Sequence, residues 1–292
     1  ATIWGMAFVS QSKCMDYMHP FTFNGVRSLI GAAGILVYIL ISRKIAGDKA
    51  AKLDWKLNVR AGLLCGIFLT IASTLQQFGI KYTSVGKAGF ITTLYIIFVP
   101  MFGVFLKKKV APVVWAAAGM AAVGMYLLCM TESLRLGAGD IMVFLCAIAF
   151  AIQIMTVDHY AARIDGAVVS CIQFTVCGVV CCIGALIWGQ PTFGQIQEGL
   201  GALLYAGVLS CGVGYTLQIV GQKGLNPTVA ALIMSLESVI ATISGWIAYK
   251  IGFLSTDQTL TPRQIAGCVI VFAAVILVQL PPEWFRFGKK ND

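Results

Sequence analysis

Leu75–Lys108 reads LQQFGIKYTSVGKAGFITTLYIIFVPMFGVFLKK, and 142 residues further on Leu217–Lys250 reads LQIVGQKGLNPTVAALIMSLESVIATISGWIAYK. Leu75/Leu217, Gln76/Gln218, Gly79/Gly221, Lys81/Lys223, Ala88/Ala230, Ile91/Ile233, Leu94/Leu236, Gly103/Gly245 and Lys108/Lys250 coincide without a gap. Each copy is an apolar run, a short polar break holding a lysine, and a second apolar run. A period of about half the chain is far too long for a solenoid unit. It reads as a duplicated membrane unit.

Composition agrees. The chain is 59% hydrophobic and 11% charged, with a mean hydropathy of +0.86, whereas a soluble domain carries about 25% charged residues. The recurring apolar runs are of about 20 residues, the length that crosses a bilayer. The net charge of +9 does not point to nucleic acid, because Lys and Arg separate the apolar runs instead of lining one face. They read as loops at a cytoplasmic surface. Most of the ten cysteines (Cys65, Cys129, Cys146, Cys171, Cys177, Cys181, Cys182, Cys211, Cys268) lie inside apolar runs, where they act as small hydrophobes. With no CxxC pair and two histidines, neither a disulfide framework nor a zinc site is expected. No cleavable signal peptide is expected either.

The apolar runs fall at about 1–15, 21–42, 59–81, 84–106 and 112–130, then at 140–157, 167–189, 199–221, 227–250 and 263–280. Pro112, Pro227 and Pro262 open their helices, where a missing N–H costs nothing. The fold expected is all-α and integral to the membrane: ten transmembrane helices as two inverted five-helix repeats. The first repeat is 1–131, the second 139–281, and 282–292 is a cytoplasmic tail. The inversion follows from the odd number of helices per repeat. Of the 21 basic residues, Arg27 lies within a run and Lys13, Lys81, Lys87, Arg135, Lys250 and Arg263 lie on one side. The other fourteen lie on the opposite side, which places both termini in the cytoplasm. Inverted duplication is a transporter architecture with its site near the midplane, between the repeats.

Trp4-Gly5 in helix one, Arg27 in a Pro-led helix two, GKAGFITTLYIIFVP (Gly86 to Pro100) in helix four and SLESVIATISGW (Ser235 to Trp246) in helix nine resemble the EamA family of the drug/metabolite transporter superfamily. The resemblance covers almost the whole chain and both repeats. It implies a ten-helix secondary transporter, an exporter of small metabolites such as amino acids or amines by alternating access, in the bacterial inner (plasma) membrane. Two departures stand out. The Gly-Glu pair that members often carry after helices four and nine is replaced by Lys107-Lys108-Lys109 and Lys250-Ile251-Gly252, and the Pro common after the helix-nine Glu is Ser238.

An ionisable group deep in a bilayer is costly and is a functional candidate by default. Eleven of the twelve acids fall in loops, tails or helix ends, leaving Glu237 in mid-membrane, roughly 15 Å along helix nine. Its repeat mate is Tyr95. Such a carboxylate stays protonated, pairs with a cation, or faces water; a purely structural interhelix tie is the alternative. Arg27 is the deepest cation. It either clamps a substrate carboxylate through two parallel hydrogen bonds or snorkels outward from a peripheral helix. Lys87 suits snorkelling, and Asp158-His159 suits a solvated helix end, with a proton relay as the alternative. Trp4, Gln76, Gln77, Tyr82, Tyr95, Gln153, Thr156, Tyr215, Gln218 and Ser235 form a softer set, suited to small polar or ring-bearing solutes, although each alone could serve as an interhelix bond. From these, the expected substrate-binding residues are Glu237, Tyr95, Trp4, Gln76, Gln153, Tyr215, Gln218, Ser235 and Arg27. Helices one, three, four, six, eight and nine should build the cavity. Gly62/Gly66 permit close helix packing, and Pro100 should kink helix four around the Ile96 carbonyl.

No Walker, zinc-protease or Gly-x-Ser-x-Gly motif appears in the sequence, so neither an enzyme nor a resident cofactor is expected. The expected partners are a small-molecule substrate and the lipid bilayer, with a proton as a possible coupling ion and the chain a monomer or weak homodimer. A passive channel-like facilitator and a non-transporting membrane scaffold are the other readings.

Overall fold

The computed structural model describes residues 1–47, 53–82, 85–107, 110–129, 137–253 and 259–279. Among these residues the regular structure is helical throughout, with no strand. In chain order the helices are α1 (Thr2–Cys14), α2 (Pro20–Ala46), α3 (Trp55–Tyr82), α4 (two segments, Val85–Thr93 and Tyr95–Phe105) and α5 (Pro112–Cys129). There follow α6 (Ala138–Tyr160, continued by a 3-10 turn Ala161–Arg163), α7 (Gly166–Gly184, drawn out by a π-turn over Ala185–Gly189), a short unnumbered helix Phe193–Glu198 and α8 (Leu200–Leu204, a π-helical stretch Tyr205–Gly214, then Tyr215–Gly221). The last two are α9 (Pro227–Met234 and Leu236–Lys250) and α10 (Pro262–Gln279).

Helix starts are satisfied by the residues that precede them. The His19 ring nitrogen Nδ1 accepts the Phe21 N–H at 3.4 Å ahead of Pro20. Asp165 accepts from Ala167 and Val168 at 3.0 and 3.2 Å, and Asn226 accepts from Thr228 at 2.9 Å. Each side-chain acceptor takes an N–H that has no partner within its helix.

Among the described residues seven helices are long and apolar enough to cross a membrane: α2, α3, α4 over Ala88–Phe105, α6, α7, α8 and α9. The sequence leads one to expect ten. α1 runs for 13 residues, about 20 Å at 1.5 Å per residue, and the apolar stretches Pro112–Leu127 and Pro262–Val278 are shorter than the seven. The chain is a multi-pass membrane protein, and its surface says so. Leu36, Val37, Tyr38, Leu40, Ile41 and Ile45 of α2 are all exposed, an apolar face that suits lipid and not water.

One continuous apolar core draws on every helix from α2 to α10. Close approach depends on small residues, as expected where lipid removes the hydrophobic drive between helices. A Cβ on Gly62 would stand 2.6 Å from Ile172 Cβ, and one on Gly66 2.9 Å from Val176 Cβ, so the GxxxG face of α3 seats a β-branched ridge of α7. Gly5 brings α1 against α9, where a Cβ would lie 2.7 Å from the Glu237 carbonyl oxygen.

Candidate functional site

α4 and α9 are both interrupted in mid-course, at Leu94 and at Ser235. The interruption in α4 falls ahead of Pro100, which lies inside the second segment, and so does not sit where the sequence suggests a kink. The local cause is hydroxyl competition for carbonyls. Thr93 Oγ1 donates to the carbonyls of Gly89 and Phe90 at 2.9 and 3.0 Å. Ser235 Oγ donates to Leu232 at 2.7 Å. Such back-bonding loosens the helical ladder.

A candidate residue follows each weak point, directly in α4 and after Leu236 in α9. Tyr95 opens the second segment of α4, and Glu237 lies in the first turn of the second segment of α9, where the free N–H groups of a helix start favour a carboxylate. The two meet. Tyr95 Oη donates to Glu237 Oε1 at 3.1 Å, across 142 residues of sequence, and both side chains are buried.

They border a central cavity of about 50 Å³, room for a few waters. Of the residues expected from sequence, Trp4, Arg27, Gln76, Tyr95, Gln153, Tyr215, Gln218 and Glu237 line it. Ser235 is the exception: it is not among the lining residues, because its hydroxyl turns back on its own helix. Arg27 is a correction to the peripheral reading. It is 6% exposed, with its guanidinium 4.9 Å from the Phe23 ring centroid. Its Nε is buried without a hydrogen-bond partner among the described residues. Tyr82 is exposed, Thr156 donates to its own helix at Ile152 (2.8 Å), and Gln77 donates to the Gln11 carbonyl (3.4 Å) outside the lining. The Lys87 side chain lies outside the described residues.

The wall is polar and ordered. Trp4 Nε1 donates to the Ser210 carbonyl at 3.3 Å within the π-helical stretch of α8, and its ring lies 4.7 Å from that of Tyr215. Gln76 Nε2 donates to Thr92 Oγ1 at 3.3 Å. Gln218 Nε2 donates to Gln153 Oε1 at 3.3 Å, and Gln153 Nε2 to Gln173 Oε1 at 3.5 Å. π-turns occur disproportionately at functional sites; here one exposes a backbone carbonyl to the cavity wall. No group of three or more His, Cys, Asp or Glu that could hold a metal occurs among the described residues.

Sequence reasoning missed Phe8, Gln11, Thr92, Phe150, Ile154, Ser210 and Met234 as lining residues. A signal existed. Phe8/Phe150, Gln11/Gln153, Gln76/Gln218, Thr92/Met234 and Tyr95/Glu237 all line the cavity, and each pair is separated by the same 142 positions as the repeat. Applying the shift beyond the 34-residue match would have found Gln11 through Gln153, whereas both members of Phe8/Phe150 and of Thr92/Met234 were missed. α2 contributes Arg27, which the expected helix set left out.

Comparison with known proteins gives consistent results. A family model, the EamA-like transporter family, matches residues 1–130 and 137–280. An uncharacterized transporter of Archaeoglobus fulgidus is 27% identical over 286 residues, covering 96% of this chain and 83% of the relative. The uncharacterized transporter YwfM of Bacillus subtilis is 24% identical, covering 97% and 92%. A solved crystal structure at 16% identity superposes with a TM-score of 0.72 over 98% of both chains, a likeness of fold.

Proposed function

The chain belongs to the EamA-like transporter family, and from that premise we propose that it is a secondary transporter, an exporter of small metabolites such as amino acids or amines, working by alternating access. The observation that carries this reading is the cavity lined by five residue pairs at the repeat spacing, one of them bonded face to face. Two residues at one repeat spacing can touch only where the axis relating the halves passes between them. That geometry suits ten helices in two inverted five-helix repeats, 1–131 and 139–281, with the tail 282–292 and both termini cytoplasmic in an inner membrane.

Arg27 supplies a fixed positive charge and an unpartnered donor, suited to a substrate carboxylate. Glu237 supplies an acid that takes a proton or an ammonium group, with Trp4 and Tyr215 as the aromatic wall. A solute larger than a few waters requires the helices around this cavity to part, and the interruptions in α4 and α9 are where they would bend. Proton coupling through Glu237 needs no resident cofactor.

The test is flux of labelled amino acids and amines from proteoliposomes, with and without a pH gradient, in wild type, Glu237→Gln, Tyr95→Ala and Gln218→Ala. The expected result is gradient-dependent flux in wild type, a flattened pH profile in Glu237→Gln, and weakened apparent affinity in the other two. A Glu237→Gln protein with normal rate and an unaltered profile reduces Glu237 to a structural tie. Unchanged affinity in both remaining variants rules the cavity out as the substrate site.

A further inference from the structure

The bundle carries a second polar feature, at the end where α2 and α6 finish and α3 and α7 begin. A cleft of about 590 Å³ opens there, with Arg43, Arg163 and Lys223 on its rim. Its shape follows from the packing. α2 packs closely on the π-helical stretch of α8 but hardly touches the terminal segment Tyr215–Gly221. Toward this end the two helices therefore splay apart. Gly166 and Ala167, the first residues of α7, lie between them in the cleft lining and fill little of the gap.

The charge there is unbalanced in a particular way. Asp54 and Asp165 also line the cleft, but each carboxylate is turned to backbone. Asp54 Oδ1 accepts from the Leu57 N–H at 3.0 Å, and Asp165 Oδ1 accepts from Ala167 and Val168. Arg43 reaches Asp165 at 3.8 Å. Among the described residues neither Arg163 nor Lys223 has an acidic partner. The rim continues into exposed apolar surface: Tyr38 and Val220 line the cleft and are 60% and 49% exposed, and Leu40, Ile41 and Ile45 extend the exposed face along α2. Unpaired cations at the mouth of an apolar cleft complement one class of molecule, a phosphate joined to acyl chains.

We propose that this cleft binds an anionic phospholipid, with the phosphate between Arg163 and Lys223 and an acyl chain leaving along Tyr38 and Val220. The site is separate from the central cavity, shares no lining residue with it, and does not depend on the transported solute.

The experiment uses the purified full chain, stripped of lipid and titrated with dioleoyl phosphatidylglycerol or dioleoyl phosphatidylcholine, with bound lipid counted by native mass spectrometry. The variants are Arg163→Gln/Lys223→Gln, the charge-keeping Arg163→Lys/Lys223→Arg, and the distant control Lys13→Gln/Lys250→Gln; a melting curve checks that each is folded. Wild type, the charge-keeping pair and the control should hold phosphatidylglycerol in preference to phosphatidylcholine. The first double variant should bind it roughly 30-fold more weakly, the loss of two interfacial cations. Equal binding of the two lipids, unchanged affinity in the first double variant, or loss in the charge-keeping pair overturns the proposal. So does displacement of the lipid by equimolar inorganic phosphate, which would make the cleft a site for the free anion.

Discussion

His19 shows how much one side chain can be asked to do at the edge of a membrane. It caps α2 through Nδ1 and stands in an aromatic group, 5.7 Å from Phe21 and 5.5 Å from Phe78. Burial, and after it the charge of Lys81, holds its imidazole below the ordinary value of 6.5. The unfolded chain therefore takes up this proton more readily than the folded one. The resulting stability is full above about pH 6.5 and fades as pH falls through the lowered folded value. Melting temperature in detergent should drop between pH 7.5 and 5 in wild type. It should drop less in His19→Asn, which keeps a capping acceptor without the titration; parallel curves for the two proteins would remove His19 as the cause. At this scale much of the site was legible. Glu237 could be found by elimination, because an acid with no loop to live in must be inside the membrane, and Tyr95 through the repeat. Gln11 was not, since a polar residue near the end of a short apolar run looks like a helix end until its neighbours are known. Ser235 lies outside the lining for the opposite reason: its position is mid-helix, but a serine hydroxyl can satisfy itself on the preceding turn.

Among the elements, α3 and α7 make the clearest case for packing by shape. Gly66 admits Val176 and stands where an added Cβ would lie 3.1 Å from the Gln173 Cα, so the obstacle is partly backbone. Gly66→Ala should cost about 1–3 kcal/mol by overpacking, read as a lowered melting temperature. Gly34→Ala on α2, where nothing lies within 4 Å, should change stability by no more than about 0.5 kcal/mol. Equal losses at the two positions would mean that contact does not set the cost, since helix propensity favours alanine over glycine at both. The sequence showed the GxxxG but not its partner. Hydropathy marks which residues enter the membrane, whereas neighbour choice depends on the fit of glycine rows against branched side chains, which has no one-dimensional signature. The helix interruptions were only half legible. Pro100 advertises a lost donor, yet the break lies at Leu94, beside a threonine hydroxyl whose competing bonds leave no mark in a hydropathy profile.

For the whole molecule, the strongest statement available from sequence was the self-match at a shift of 142 residues, and the family model matches in two stretches, 1–130 and 137–280. Orientation is the part that charge alone proposes. With fourteen basic residues assigned to the side of the α2–α3, α4–α5, α6–α7 and α8–α9 loops and the tail, against six on the other, a cysteine replacing Lys44 should react with an impermeant maleimide only from the cytoplasmic face. Labelling from outside in intact cells would invert the topology and with it the assignment of export. The native cysteines are mostly buried, so the background in such an assay should be low.

The bond between Tyr95 and Glu237 has a further meaning if the two halves descend from one ancestral peptide that paired with itself. At a point on the two-fold axis such a homodimer must place a side chain against its own copy. Tyrosine can meet tyrosine there. Two glutamates would have to share a proton, because like charges in close contact cannot both ionise. Fusion into one gene lifts that restriction, since each side of the axis can then mutate alone. A donor facing an acid is a combination that no symmetric dimer of one sequence could have built at that position, and replacing Tyr95 by a second glutamate would re-create the two-acid conflict inside a single chain.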